Sequence, residues 1–253
     1  MLTGAARGIG RATAVALARK GFRLGLMDLE PEGLESLSEE LRLGGAVVWT
    51  HPADVRDATS IKKAVSTLER EVGPTDVLVA CAGVGRLSSA LDLDLDGLRQ
   101  MFEVNVLGVA QSIGAVLPGM FERGSGHILG VASVAGYRGM PWMPGYSASK
   151  AAIATYLEGL RPSLKRRGVS ITTAYPGFVR TGMTVETPFR DPVPMLEPEA
   201  AAEHLVYAVV SRPRDYVFPR SAAFGMGLIR KLPNFWYDRL MDYAGPRALT
   251  SEF

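Results

Sequence analysis

The chain has little of what would tie it to a metal, a disulfide framework or a nucleic acid. Cys81 is its one cysteine in 253 residues, which excludes an internal disulfide and any cysteine-based zinc site. The three histidines, His51, His127 and His204, lie far apart and form no metal-ligand pattern. A formal net charge of +2 is too small to mark a nucleic-acid binder. No internal repeat or low-complexity tract appears, and 47% hydrophobic with 21% charged residues is the composition of a folded globular protein. No leader is expected, because Met1 runs straight into a glycine-rich turn and an arginine. The longest uncharged stretch, Val104 to Phe121, approaches membrane-spanning length but holds Asn105, Gln111, Ser112 and Pro118. A buried helix is expected there and no transmembrane span. These features lead us to expect a cytoplasmic protein.

What is present is a regular alternation. Phe22–Met27, Ala46–Thr50, Asp76–Ala80, His127–Val131 and Ser170–Ala174 read as strands whose run-like apolar patterning suits burial on both faces. Segments of helical period lie between and around them, near 8–20, 31–43, 57–72, 95–121 and 147–167. The repetition predicts an α/β fold: one doubly wound, Rossmann-type domain over 1–253, with a parallel sheet and helices on both faces. Residues 182–200, proline-dense from Pro188 to Pro198, are expected to form a substrate lid, and 220–245 an apolar and basic C-terminal appendage.

Thr3-Gly4-Ala5-Ala6-Arg7-Gly8-Ile9-Gly10 opens the first helix. Glycines at such a turn let backbone approach a pyrophosphate, and the helix N-terminus offers N–H groups to the anion. Asp28, about twenty residues on at the end of the next strand, suits the hydroxyls of an adenosine ribose. It would repel a 2′-phosphate by roughly 4 kcal/mol at ~4 Å and an effective dielectric of ~20. Arg7 pulls the other way, as a cation that could accept that phosphate. The acid favours NAD, the arginine NADP, and we give the acid more weight. Tyr146 and Lys150 stand four apart in Tyr-Ser-Ala-Ser-Lys and share a helix face. An ammonium beside a phenol lowers its pKa, so the pair is a candidate general acid/base unit.

In these motifs, and in their order along nearly the whole chain, the sequence resembles the short-chain dehydrogenase/reductase family, in its branch of about 250 residues. The resemblance implies that Thr3, Gly4, Arg7, Gly8, Ile9 and Gly10 form the cofactor turn. It implies that Asp28 selects NAD and that Asp54 and Val55 contact the adenine. Ala82 and Gly83 would border the adenine ribose. Pro176, Gly177, Val179 and Thr181 would hold the nicotinamide carboxamide. Asn105, Ser133, Tyr146 and Lys150 would be the catalytic tetrad: Tyr146 as acid/base, Lys150 lowering its pKa and binding the nicotinamide ribose, Ser133 holding the substrate oxygen, and Asn105 holding a relay water. Homodimers or homotetramers, packed on the flat face made by Ala151, Ala152 and Ala154, are also implied.

Two departures from that pattern stand out. Ala80-Cys81-Ala82-Gly83 replaces the family's Asn-Asn-Ala-Gly, which removes an asparagine amide; Cys81 is expected to be a small buried filler. Only Met1 and Leu2 precede the turn, so the first strand reads as truncated, with a natural start expected upstream. Loss of that strand would open an apolar trench between its neighbours.

The substrate is expected beside Ser133 and Tyr146, walled by Met140, Trp142 and Met183, with Tyr137, Met143, Phe189 and Met195 nearby. Such a wall suits a small hydrophobic alcohol or ketone. The appendage mixes exposed-type apolar residues with Arg230, Lys231 and Arg239 over 221–243. That pattern suits closure of the substrate pocket or a subunit contact, and also peripheral membrane contact; the first two are given more weight. The main alternative in kind is an NADPH-dependent carbonyl reductase. A dinucleotide-sensing or scaffold protein on the same fold is the non-enzyme alternative, and the retention of both Tyr146 and Lys150 speaks against it.

Overall fold

The computed structural model describes residues 1–88, 93–185 and 195–244. Seven parallel strands form one sheet: β1 (Leu2–Thr3), β2 (Leu24–Asp28), β3 (Val48–Pro52), β4 (Val77–Ala80), β5 (Gly126–Val131), β6 (Val169–Pro176) and β7 (Asp215–Phe218). Their order is β3-β2-β1-β4-β5-β6-β7, so the chain winds outward in both directions from β1. The helices are α1 (Gly8–Arg19), α2 (Pro31–Leu43), α3 (Ala58–Glu71), α4 (Leu95–Phe102), α5 (Val109–Arg123), α6 (Pro144–Lys165), α7 (Gly182–Val185), α8 (Pro198–Ser211), α9 (Arg220–Lys231) and α10 (Asn234–Ala244). Their starts carry ordinary signals. Asp57 accepts the N–H groups of Thr59 and Ser60 ahead of α3, Asp94 accepts that of Gly97 ahead of α4, and Pro31, Pro144 and Pro198 stand in first turns.

Both faces of the sheet are covered. Leu17 of α1, Leu34 and Leu37 of α2, and Leu205 and Val209 of α8 pack with Leu26 and Leu129 on one side. Ile61 and Leu68 of α3, Ile113 and Val116 of α5, and Ile153 and Leu157 of α6 pack with Leu78 and Ile128 on the other. The doubly wound architecture expected from the sequence is therefore present.

Several details differ from the sequence reading. The helix expected over 95–121 is three pieces, because residues 103–108 form a π-helical turn between α4 and α5. Gly108 packs against Val55 there, where a β-carbon would come within 2.6 Å of Cγ2. The strand β7 carried no sequence signal: it is four residues long, begins at exposed Asp215 and is fully buried only at Phe218. The fifth expected strand runs on to Pro176, which brings that residue to the sheet edge.

β1 is as short as the sequence suggests. Leu2 and Thr3 pair with Leu26 and Met27 on one side and with Val79 and Ala80 on the other. Below them Met1 N donates to Val77 O at 2.8 Å. A cavity of about 130 Å³ opens there, lined by residues including Leu17, Leu24, Leu68, Val77 and Val209.

His127 of β5 is fully buried; its Nδ1 lies 2.8 Å from Ser170 Oγ, while Nε2 has no hydrogen-bond partner. Burial, then the charge of Arg212, pulls its pKa from 6.5 down to about 4. The unfolded chain takes up this proton near 6.5 and the folded chain resists until about 4. Stability is therefore complete above pH 6.5 and declines as pH falls toward 4, by on the order of 3 kcal/mol from this group. Urea titrations of wild type and His127→Gln between pH 7 and 4 check this, the variant having the shallower slope.

Candidate active site

The carboxyl ends of β1 and β4, where the winding changes direction, form the crevice at which such sheets bind ligands. The glycine-rich turn lies at its floor. Gly4 (φ +74°) and Gly8 (φ +53°) hold left-handed backbone. A β-carbon on Gly10 would lie 1.8 Å from the Gly4 carbonyl oxygen, and one on Gly4 2.7 Å from Ala82 Cα. Ala82 N–H also points to Thr3 Oγ1, at 3.4 Å. At the head of α1 Arg7 makes no side-chain cap, so the first N–H groups of the helix keep no side-chain acceptor.

Asp28 is fixed beside this turn. The Ala6 N–H donates to Oδ2 at 2.9 Å and the Glu30 N–H to Oδ1 at 3.1 Å. Arg7 does not face it as a free cation; its guanidinium pairs with Glu30 at 2.8 Å. An uncapped helix start, a turn without room for side chains and an oriented carboxylate together fit the pyrophosphate and ribose of a dinucleotide.

The expected adenine pair behaves differently in its two halves. Asp54 holds Arg56 through both carboxylate oxygens, which keeps its carboxyl below the usual range. The Val55 side chain is buried against Gly108 and anchors the chain after β3 to the π-helical turn. Gly83 lies where a β-carbon would come within 3.4 Å of both Asn105 Oδ1 and Lys150 Nζ, joining the ribose side of the crevice to the catalytic groups. Across the crevice, Pro176 ends β6 and Gly177 N donates to Phe218 O at 2.7 Å. Val179 bridges to Leu196, and a β-carbon on Gly8 would meet Thr181 at 3.3 Å. The turn and the Pro176–Thr181 segment thus oppose one another.

The catalytic candidates converge at the start of α6. Tyr146 lies near Ser133, whose Oγ accepts the Ala135 N–H at 3.1 Å. Lys150 is buried, donates to Val131 O at 2.9 Å, and stands 5.7 Å from the centre of the Tyr146 ring. Burial pulls Lys150 down to about 8 and pushes Tyr146 up to about 12, the nearby Ser133 hydroxyl acting against the latter. This corrects the expectation that the ammonium sets the phenol low. Desolvation is the larger effect, and at neutral pH the pair is a neutral phenol beside a charged lysine. Cys81, half-buried, has its thiol pushed up to about 11 by burial, in keeping with a filler.

Asn105 is fully buried in the π-helical turn. Its Oδ1 accepts Val84 N–H at 2.8 Å, and its Nδ2 donates to Val84 O and Ser149 Oγ, both at 2.9 Å. Both amide hydrogens are spent on protein, so the side chain clamps the loop after β4 to α6. Ser149, which also donates to Tyr146 O at 2.8 Å, was not singled out from the sequence. Its position three residues after Tyr146 was the available signal. Ser147 was likewise missed; its Oγ accepts the Met140 N–H and ties the substrate-side loop to α6.

Met140, Trp142 and Met143 are buried in one cluster with Ala135, against Tyr146, Phe178 and Met241. They form the packed wall behind the phenol. Met183 is 37% exposed and meets Met143 at Gly85, so it stands over the opening. Tyr137 packs instead on Tyr175, and Phe189 with the rest of 186–194 in the expected lid lies outside the described residues.

Comparison with known proteins agrees with this geometry. The family model for short chain dehydrogenases matches residues 1–190. The chain belongs to that family. An uncharacterized oxidoreductase of Myxococcus xanthus (strain DK1622) is 37% identical over 94% of each chain. The 17-beta-hydroxysteroid dehydrogenase 13 of Mus musculus is 33% identical over 93% of this chain and 78% of its own. Among solved structures, a short-chain dehydrogenase/reductase of Burkholderia phymatum in complex with NAD superposes with TM-score 0.83 at 26% identity, covering 91% of this chain and 92% of its own. An alcohol dehydrogenase of the archaeon Thermococcus sibiricus complexed with 5-hydroxy-NADP gives 0.76 at 29% identity, covering 86% and 94%. The chain is thus an oxidoreductase of the NAD(P)-dependent, Rossmann-type class.

Gly10→Ala places its methyl against the Gly4 carbonyl and must distort the turn. NADH affinity, followed by nicotinamide fluorescence, is expected to fall at least about tenfold. Unchanged affinity would remove the turn from the cofactor site.

Proposed function

We propose that this protein is an NAD(H)-linked alcohol dehydrogenase or ketone reductase acting on a hydrophobic secondary alcohol or ketone. The observation that carries the reading is the Tyr146 phenol near Ser133, with buried Lys150 5.7 Å from its ring centre and an apolar wall against it. Bound nicotinamide supplies the hydride donor or acceptor.

In reduction, the Ser133 hydroxyl donates to the substrate carbonyl oxygen and holds it against Tyr146. The phenol passes its proton to that oxygen as hydride reaches the carbonyl carbon, and the Lys150 ammonium stabilises the phenolate left behind. In oxidation Tyr146 must first give up its own proton, a loss that the Lys150 ammonium favours, before its oxygen can take the substrate's hydroxyl proton; the hydride would pass to bound nicotinamide. Asn105 and Ser149 act as positioning residues, fixing Tyr146 and Lys150 through α6. The wall of Met140, Trp142 and Met143 offers a substrate no charged partner, which supports an apolar substrate. The hydroxysteroid dehydrogenase among the relatives acts, by its name, on a secondary alcohol of that kind. Ala151, Ala152 and Ala154 of α6, each only partly covered, support a homodimer or homotetramer.

Asp28, oriented by two backbone N–H groups, together with the Arg7–Glu30 pair, supports NAD over NADP. Arg7 remains the residue on which the NADPH-dependent alternative rests.

Tyr146→Phe is expected to lower kcat by a factor on the order of 10²–10⁴ while leaving NADH affinity within about twofold. Undiminished turnover would overturn the assignment. Titration with NADH and NADPH is expected to favour NADH in the wild type, and Asp28→Ala to narrow the preference at least about tenfold. A wild-type preference for NADPH would make Arg7 the selector.

A further inference from the structure

The C-terminal helices have two faces with opposite characters. On the inner side, Tyr237 is buried and its hydroxyl donates to Gly139 O, while Met241 packs on the cluster of Met140, Trp142 and Met143. Arg138 donates to Leu232 O at 2.9 Å and to Asn234 Oδ1 at 3.1 Å, and stacks over the Tyr237 ring at 4.0 Å. The inner face is thus latched to the loop carrying Met140, Trp142 and Met143.

The outer face is unpartnered and apolar. Phe235 and Trp236 are 61% and 60% exposed, and Leu240 follows one turn beyond Trp236. On α9, Phe224 is 74% exposed and Leu228 lies one turn on. Cations are interleaved with these residues. Arg220 and Lys231 are exposed at the two ends of the Phe224–Leu228 stripe, and Arg239 lies over the Phe235 ring at 5.6 Å. None of the three makes an ion pair among the described residues.

We infer that the outer face of α9 and α10 docks on an anionic lipid bilayer. Exposed aromatic and aliphatic side chains flanked by unpaired cations match the headgroup boundary of such a membrane, where Trp and Phe sit shallowly and Lys and Arg meet phosphates. A second copy of the chain fits less well. Self-pairing about a twofold axis would bury two sets of Arg220, Lys231 and Arg239 in a surface to which these helices bring only Asp238 and Asp242 as acids. Docking this way brings the membrane to the back of the substrate wall, where an apolar alcohol or ketone is most concentrated. That last consequence rests on the function proposed above; the docking itself does not.

The test is flotation of the full chain with vesicles of phosphatidylcholine alone and of phosphatidylcholine mixed with phosphatidylglycerol. Binding is expected to the anionic vesicles, with a blue shift of tryptophan emission that Trp236→Phe removes, and release by added salt. Arg220→Gln/Lys231→Gln/Arg239→Gln is expected to weaken partitioning on the order of a hundredfold. Phe224→Ser/Phe235→Ser is expected to abolish it. Retained NADH binding shows that each variant is folded, and it is read independently of any substrate. No binding by the wild type overturns the inference, as does binding that all variants keep. If the serine variant instead changes the oligomeric state and no vesicle binding occurs, the face is a subunit interface and the inference fails.

Discussion

Backbone touches backbone where β1 gives way to α1, and the rest of the site is arranged around that contact. Gly4 can lie against Ala82, and Gly10 against the Gly4 carbonyl, only because neither carries a side chain. That approach brings the head of α1 to the crevice between β1 and β4. It also puts the Ala6 N–H within reach of Asp28 and sets Gly8 opposite Thr181. A side chain at either position would push α1 away from the sheet and dissolve the anion site and the ribose site together.

A second set of ties radiates from α6. Lys150 is held by the Val131 carbonyl at the end of β5, Asn105 by Val84 and Ser149, and Met140 by Ser147. Each bond joins the helix carrying Tyr146 to a different strand end or loop. Orientation of the phenol therefore comes from the sheet, not from the side chain's immediate neighbours alone. The same burial that fixes these groups sets their protonation, with a neutral phenol beside a charged ammonium.

The parts of this arrangement legible in the sequence were those written in local pattern. Apolar strand runs, the glycine spacing, the acid at the end of β2 and the Tyr146–Lys150 spacing are short-range signals, and each lies where the reading put it. What was not legible depends on contacts between distant segments. β7 is a strand because β6 offers it an edge, not because Asp215–Phe218 alternates. The π-helical turn exists where Gly108 meets Val55 and Asn105 meets Val84, pairings that no periodicity announces. The balance at Tyr146 turned on desolvation, which follows from packing against the wall of Met140, Trp142 and Met143. The partners of Val55 and Arg7 were not legible for the same reason: one packs on Gly108, the other pairs with Glu30.

The change of winding direction at β1 has a mechanical meaning for a protein with this layout. Asp28 belongs to the half of the sheet holding β2 and β3, whereas Tyr146, Lys150 and the Pro176–Thr181 segment belong with the half holding β4 to β7. A dinucleotide gripped at both ends would span the junction between the halves and act as a rivet across it. Amide protons on both sides of that junction would then slow their exchange on binding, so that one ligand would knit two sub-structures into a single cooperative unit.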